Sequence, residues 1–567
     1  MTVRLRPAAE TLERLAEVAR AEAEADVVLT GGALVNVFTE EVQEGWGLAL
    51  AAGRVAFVGP DAEVSARAGD GTERIELDGD LAAPGLVEGH THLTRLHLAD
   101  MADLQVRAGV TTTVVESMEL AVVTGLAGVH GLLAAAERTA GRLLFTASGL
   151  IVCDEVRDAE LDRDDWASLL DHPRIVGLGE VYWSDLLRGH RRSQALIDAA
   201  LERGVLVEGH GAGARLAALN ALAAHGIGAD HESIVPEDVL ARRRVGLHTE
   251  LRHGATRQDL PAIAGLWRDG PFDATGLSFV TDGLEPDLAA RGDSLNWVVE
   301  QAVELGLPLA RAVRMASHNA AEHLGLARWL GGLGPGRVAD LVVLPRAGGF
   351  RPRLVLTGGR PPAPSAPPEY PAWMLDTVRL NGLAPDLLGH PGPGRWRAMR
   401  QVAPVVTREV ESDGSEALVC TVVDRLGSGR GFRGLLEGYG LRGGAVAITS
   451  AWESPGIVVV GDRPDDMAVA ARRVADLRGG AAVVARGRVL AEWPAPVAGL
   501  YSTSPSERVV DEVGAVCRAL AGLGVPWQNP VLTLETLTTA AIPFLRIWAG
   551  GYFRLRDGAR VGLGWTS

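Results

Sequence analysis

Eight apolar stretches with strand character alternate with helical stretches between residues 82 and 281, and this rhythm constrains the fold more than any other feature. They are 82–88, 110–116, 143–150, 174–181, 204–209, 226–230, 245–251 and 277–281. Strands spaced in this way build a parallel sheet covered by its own crossover helices, and eight such units close into a (β/α)8 TIM-like barrel. An open doubly wound sheet is the competing architecture, but no G-x-G-x-x-G opens a helix after an early strand. Residues 26–58 read differently, as short strands broken by glycine pairs, and matching pieces return at 333–345 and 351–361. A small flanking β-domain drawn from both sides of the barrel follows.

The expected organisation runs in five parts. An N-terminal helix and the first part of the β-domain occupy 1–81, the barrel 82–330, and the returning part of the β-domain 331–365. A proline-rich break, "GGRPPAPSAPPEYPAW" (358–373), leads into a linker that covers 366–404. A separate α/β domain with its own strands and helices covers 405–567.

In a barrel of this kind, functional groups sit where strands end. The first strand ends in "VEGHTH", which places His90 and His92 on one face, since residues i and i+2 of a strand point the same way. The polar residues that close other strands are Glu180, His210, His231 and Asp282. Each alone has a plain structural explanation: a surface acid, a loop histidine, a helix cap. Four imidazoles and two carboxylates all falling at strand ends instead describe one mouth able to hold two divalent ions, ~3.5–4 Å apart in known two-metal hydrolases.

Composition narrows the partners. A formal net charge of −16 disfavours a nucleic-acid or anionic-membrane surface, which would need a basic stripe. The three cysteines, Cys153, Cys420 and Cys517, form no C-x-x-C pair, which fits a reducing compartment and points to a cytoplasmic protein. The sequence shows no uninterrupted apolar stretch long enough to span a bilayer, and the N-terminus lacks the pattern of a secretory signal, with Glu10 to Glu24 reading as a charged amphipathic helix.

The segments "PGLVEGHTHL", "VGLGEV", "EGHGAG", "GIGADHES", "VTDG" and "GLGPGRVADLVVL" occur in the order of the amidohydrolase superfamily. More narrowly, the chain resembles bacterial adenine deaminases of the amidohydrolase type. Their third domain is matched by "GLRGGAVAITS", "GIVVVGDRPDDMAVAARRV" and "WPAPVAGLYS", so the resemblance runs from about residue 26 to the end. It implies that His90, His92 and Asp282 hold one metal, His210 and His231 a second, and Glu180 bridges them. The ions would be Mn2+ or Fe2+, with Zn2+ as an option. Asp282 would relay the proton of a metal-bridging hydroxide to the leaving nitrogen, with Glu180 and Glu119 as further catalytic carboxylates. The resemblance also implies a homo-oligomer, expected to be a dimer, acting on a small heterocyclic substrate.

The chain departs from that family at five places. Thr94 replaces a glutamate after the His pair. Met118 stands where strand two usually carries a histidine, although Glu119 is kept. "Arg252-His253-Gly254-Ala255" replaces an "R-E-G-S" pattern, a double aspartate is reduced to Asp282, and Trp452 with its neighbours replaces "H-D-S-H-N". Thr94, Met118, Arg252, His253 and Trp452 are therefore the candidate substrate contacts. The metal chemistry is kept while the polar groups expected around adenine are exchanged, which leaves three readings. The first is hydrolytic deamination of adenine or a related aminated heterocycle. The second is hydrolysis of a cyclic amide or other C–N bond in a different heterocycle. The third is a non-catalytic scaffold that retains the fold.

Overall fold

The computed structural model describes residues 5–148, 163–542 and 544–565. Cys153 and the end of the predicted strand 143–150 lie outside these residues.

Eight parallel strands follow one another in strict sequential order around the central sheet: β1 (Leu86–His92), β2 (Val110–Glu116), β3 (Arg142–Ser148), β4 (Ile175–Tyr182), β5 (Leu206–His210), β6 (Ala229–Asp230), β7 (His248–Arg252) and β8 (Leu277–Val280). The Asp282 N–H donates to the His90 carbonyl at 3.2 Å, which brings the chain leaving β8 back to β1 and nearly closes the barrel. Register shifts interrupt the ladders, and two of them matter for the site. One lies between Glu88 and Thr91 on β1, the other between Leu178 and Val181 on β4. Bulges re-aim side chains, and these two span His90 and Glu180.

The predicted strand 82–88 is in fact two. Leu81–Pro84 pairs antiparallel with Leu341–Leu344 in a five-stranded sheet outside the barrel, and the chain enters β1 only after Gly85. A Cβ at Gly85 would lie 2.3 Å from Thr111 Oγ1, so only glycine lets the backbone pass at this crossing. The five-stranded sheet and a four-stranded sheet that contains Val27–Thr30 and Trp46–Ala51 share a core of Leu29, Leu48, Leu50, Val55, Leu341 and Val343. The N-terminal helix spans Ala9–Ala19 and buries Leu15 and Val18.

The third unit holds an eight-stranded, mainly antiparallel sheet with helices at Pro464–Asp476 and Ser506–Gly522. Its first strand is Trp396–Ala403, inside the stretch read as linker. Two arginines in that strand disguised its alternation, yet Arg397 is buried and paired with Glu409 at 2.8 Å. Arg95 is buried between Glu285 of the barrel and Glu535 of the third unit, and its carbonyl accepts Ser502 N–H at 2.8 Å. The two units are thereby tied at the barrel mouth.

One sequence expectation is corrected by a helix. Met118–Arg138 is long and apolar enough to cross a membrane by length and composition, whereas the sequence showed no evident span. It packs as the helix after β2, half of its most apolar window is buried, and a non-helical Gly125 breaks it. An apolar helix that covers a barrel strand passes the same test.

Candidate metal centre and cavity

The mouth of the barrel gathers the residues that close its strands. Glu180 Oε1 lies 3.1 Å from His90 Nε2 and 3.5 Å from both His92 Nε2 and His231 Nε2. Asp282 Oδ1 lies 3.4 Å from His90 Nε2 and 3.3 Å from His92 Nε2. His90, His92, Glu180 and Asp282 thus form one group able to hold an ion, and His210, His231 and Glu232 form a second. His90 Nε2 is buried and lacks a well-formed hydrogen bond despite the nearby carboxylate, so the two side chains face a common point rather than each other. Imidazoles and carboxylates converging on such a point fit a divalent ion.

The backbone is strained where two of these carboxylates sit. Glu180 has φ 29° and Asp282 φ 53°, in a region that L-residues rarely adopt. Strain of this kind persists only where the surroundings enforce it, and it gathers at functional sites.

Electrostatics agree with the geometry. Burial alone would raise Glu180 and Asp282, but both are held well below the usual carboxylate range. For Glu180 the cause is His90 and then His92; for Asp282 it is Arg252 and then His90. Burial, followed by the charge of neighbouring His90, pushes His231 down to about 3, which leaves a neutral imidazole able to ligate. Glu232 is held at about 2 against its burial, first by Arg252 and then by His210.

Glu232, which the sequence reading did not name, joins the candidate ligands. It lies 3.5 Å from His210 Nε2 and 3.7 Å from His231 Nε2 through Oε1. In the sequence its signal is the Asp230-His231-Glu232 triplet, in which it directly follows His231.

Glu119 accepts from His92 Nδ1 at 2.6 Å. A carboxylate behind a metal-ligating histidine fixes its tautomer and ring orientation, and Glu119 is placed to do so for His92, with Oε2 left unpartnered. Arg252 Nη1 donates to Glu232 Oε1 at 2.5 Å and to Asp282 Oδ2 at 2.7 Å. This guanidinium bridges the two ligand groups while Nη2 stays without a partner.

A cavity of about 470 Å³ opens above the ligands, lined on the barrel side by Met118, Glu119, Tyr182 and Arg252 and on the other by Trp452, Glu453, Val405 and Ile542 of the third unit. Trp452 stacks on His92, with centroids 5.3 Å apart and planes at 20°. Glu453 has φ 59°, accepts from Tyr182 Oη at 2.6 Å and from Ala540 N–H at 2.9 Å, and is pushed up to about 8 mainly by burial.

Two of the expected substrate contacts do not line this cavity. Thr94 donates to the Leu284 carbonyl and borders a separate small pocket, because the chain turns away at Arg95, which has φ 58°. His253 packs against Trp297 at 4.5 Å, with both ring nitrogens unpartnered and its pKa lowered to about 4 by burial. Arg252 points into the barrel, so the next residue along the strand points out.

The fold and the ligand geometry define an amidohydrolase. An amidohydrolase family model matches residues 81–361, and an adenine deaminase C-terminal domain model matches residues 397–558. The adenine deaminase of Nitratidesulfovibrio vulgaris (strain DP4) is 33% identical, covering 96% of this chain and 97% of that one. That of Moorella thermoacetica is 31% identical with 96% of each covered, and that of Cenarchaeum symbiosum 30% with 97% and 95% covered. The chain therefore belongs to the adenine deaminase family of amidohydrolases, and it is a hydrolase acting on a C–N bond. Among solved structures, a molinate hydrolase covers 60% of the chain at 16% identity with a TM-score of 0.46.

Proposed function

We propose that the chain is a binuclear metal-dependent deaminase that hydrolyses the exocyclic C–N bond of adenine or a closely related aminated heterocycle. The observation that carries this reading is the pair of ligand groups meeting at one mouth, with Glu180 close to members of both. His90, His92 and Asp282 would hold one ion, His210, His231 and Glu232 the other, and Glu180 would stand between them. Carboxylate-rich sites with imidazoles favour Mn2+ or Fe2+, although Zn2+ also accepts such donors. When bound, two such ions make water acidic enough to act as a nucleophile near neutral pH.

The chain's own residues do the rest. Asp282 Oδ1, ionised and facing the centre, accepts the proton released by the attacking water and hands it to the departing nitrogen, the task of a general base that turns acid. Arg252 fixes the second oxygen of Asp282, so the carboxylate keeps its orientation through the transfer. Trp452 offers a flat face beside His92 for a planar base, and the third unit supplies the opposite wall of the cavity. Manganese-loaded protein incubated with adenine should release hypoxanthine and ammonia. Loss of both metal and turnover in Glu180→Gln supports the reading, whereas full activity in that variant sinks it.

A second reading is favoured by the cavity wall. Trp452 and Met118 stand where the family carries polar residues, so hydrolysis of a cyclic amide or other C–N bond in a non-adenine heterocycle fits the same centre. A panel of aminated and cyclic-amide heterocycles separates the two: turnover of another member with adenine inert selects the second. A cytoplasmic homodimer remains the expected setting, to be checked by light scattering and fractionation.

A further inference from the structure

Barrel interiors are filled by stacked layers of bulky branched residues. Beneath the metal centre this barrel breaks that rule. Glu208 precedes His210 by two residues on β5, and Glu250 precedes Arg252 by two on β7, so both point inward one layer below the mouth. His323, from the short helix His318–His323, reaches the same place, and its Nε2 lies 2.7 Å from Glu208 Oε1.

Glu250 is only 1% exposed, yet neither of its oxygens has a hydrogen-bond partner. An ionised carboxylate without donors is strongly disfavoured in the interior, so Glu250 either holds a proton or meets a cation. His323 is already engaged by Glu208, which leaves two carboxylates facing one imidazole. One ligand atom from each of Glu208, Glu250 and His323 lies within 4.8 Å of the others, a spread suited to a single ion at their centre. The space for Glu250 is itself built into the chain: a Cβ at Gly89 would come within 3.0 Å of Glu250 Oε1. His323 is held in place from the side by His248, stacked at 4.1 Å and 13° and anchored to Ser278 Oγ at 2.8 Å. Glu250 also comes within reach of His90 and His231, so it stands between this layer and the mouth.

We propose that Glu208, Glu250 and His323 bind a third divalent cation of the Mn2+ or Fe2+ type, a structural ion in the barrel interior separate from the pair at the mouth. Two oxygen donors and one imidazole match that class of ion. Bound there, it neutralises the inward carboxylates and joins β5, β7 and the helix that carries His323.

The test is anomalous diffraction at the manganese edge from crystals of the full chain loaded with Mn2+. A peak enclosed by Glu208, Glu250 and His323 is the expected result, and its loss in His323→Asn with the mouth peaks retained completes it. Peaks at the mouth alone would overturn the proposal and mean that a shared proton, not a cation, meets Glu250. A lower peak that survives in His323→Asn would overturn it as well. Should that variant fail to fold, the wild-type map still decides. A lower peak with nothing at the mouth would count against the two-metal reading while leaving this one standing.

Discussion

The two sides of the cavity are built by different means. On the barrel side, every candidate ligand sits at or just beyond the end of a parallel strand, with bulges spanning His90 and Glu180 and positive φ angles at Glu180 and Asp282. On the opposite side, Trp452 and Glu453 sit on a loop of the third unit, positioned by contacts that cross between domains such as Tyr182 with Glu453 and Arg95 with Glu535. The difference teaches a division of labour. In the proposed reading, strand ends carry the chemistry and a loop borne by a separate unit shapes what fits against it.

Substitutions on the two sides should therefore differ in kind. The largest effect belongs to the ligands: His210→Ala should empty the second ion site and lower kcat by ~10³-fold or more, as expected when several kcal/mol of metal assistance is lost. Metal analysis beside steady-state kinetics checks it. Glu119→Gln should weaken metal affinity by about 10–100-fold, the usual consequence of removing the carboxylate behind a ligating histidine. A chelator titration reads that change, and activity restored by excess Mn2+ would set Glu119 apart from the ligands.

On the far wall, Trp452→Ala should leave metal content unchanged and raise KM by about tenfold, since stacking on a base is worth about 1–3 kcal/mol. A drop in kcat with metal loss would merge the two sides and break the comparison.

Glu453 gives a test through pH. Its folded pKa of about 8 lies above the ordinary value of ~4.3, so the fold binds this proton more tightly than the unfolded chain does. That contribution is complete below about pH 4, shrinks as pH rises, and is gone once pH has passed through 8. Melting temperatures of Glu453→Gln should accordingly fall less between pH 5 and 8 than those of the parent. The smallest effect is expected for Thr94→Ala, within about threefold in kcat/KM, because this hydroxyl faces Leu284 and not the cavity.

Much of this was legible in the sequence. The strand rhythm located all eight barrel strands, since each carries its own apolar run, and the polar residues closing them do meet at one mouth. What escaped depended on direction or distance. Gly85 hid a change of sheet inside one apolar run. Thr94 lies beyond the strand, where the positive φ of Arg95 marks a turn that alternation cannot foresee. His253 follows an inward arginine and so points outward. Glu232 follows a ligand directly, and only three-dimensional proximity shows that it shares the point claimed by His210 and His231. Glu453 meets Tyr182 across 271 positions of sequence, a contact that no local pattern encodes.

The central claim is that the strand-end centre performs metal-dependent hydrolytic deamination, and ammonia release tests it most directly. Metal-stripped protein resupplied with Mn2+ and given adenine should release one ammonia per hypoxanthine formed, with no release before metal is added and none from Glu180→Gln. Metal-replete protein that releases no ammonia from adenine or any aminated heterocycle would contradict the account, as would undiminished release by the variant.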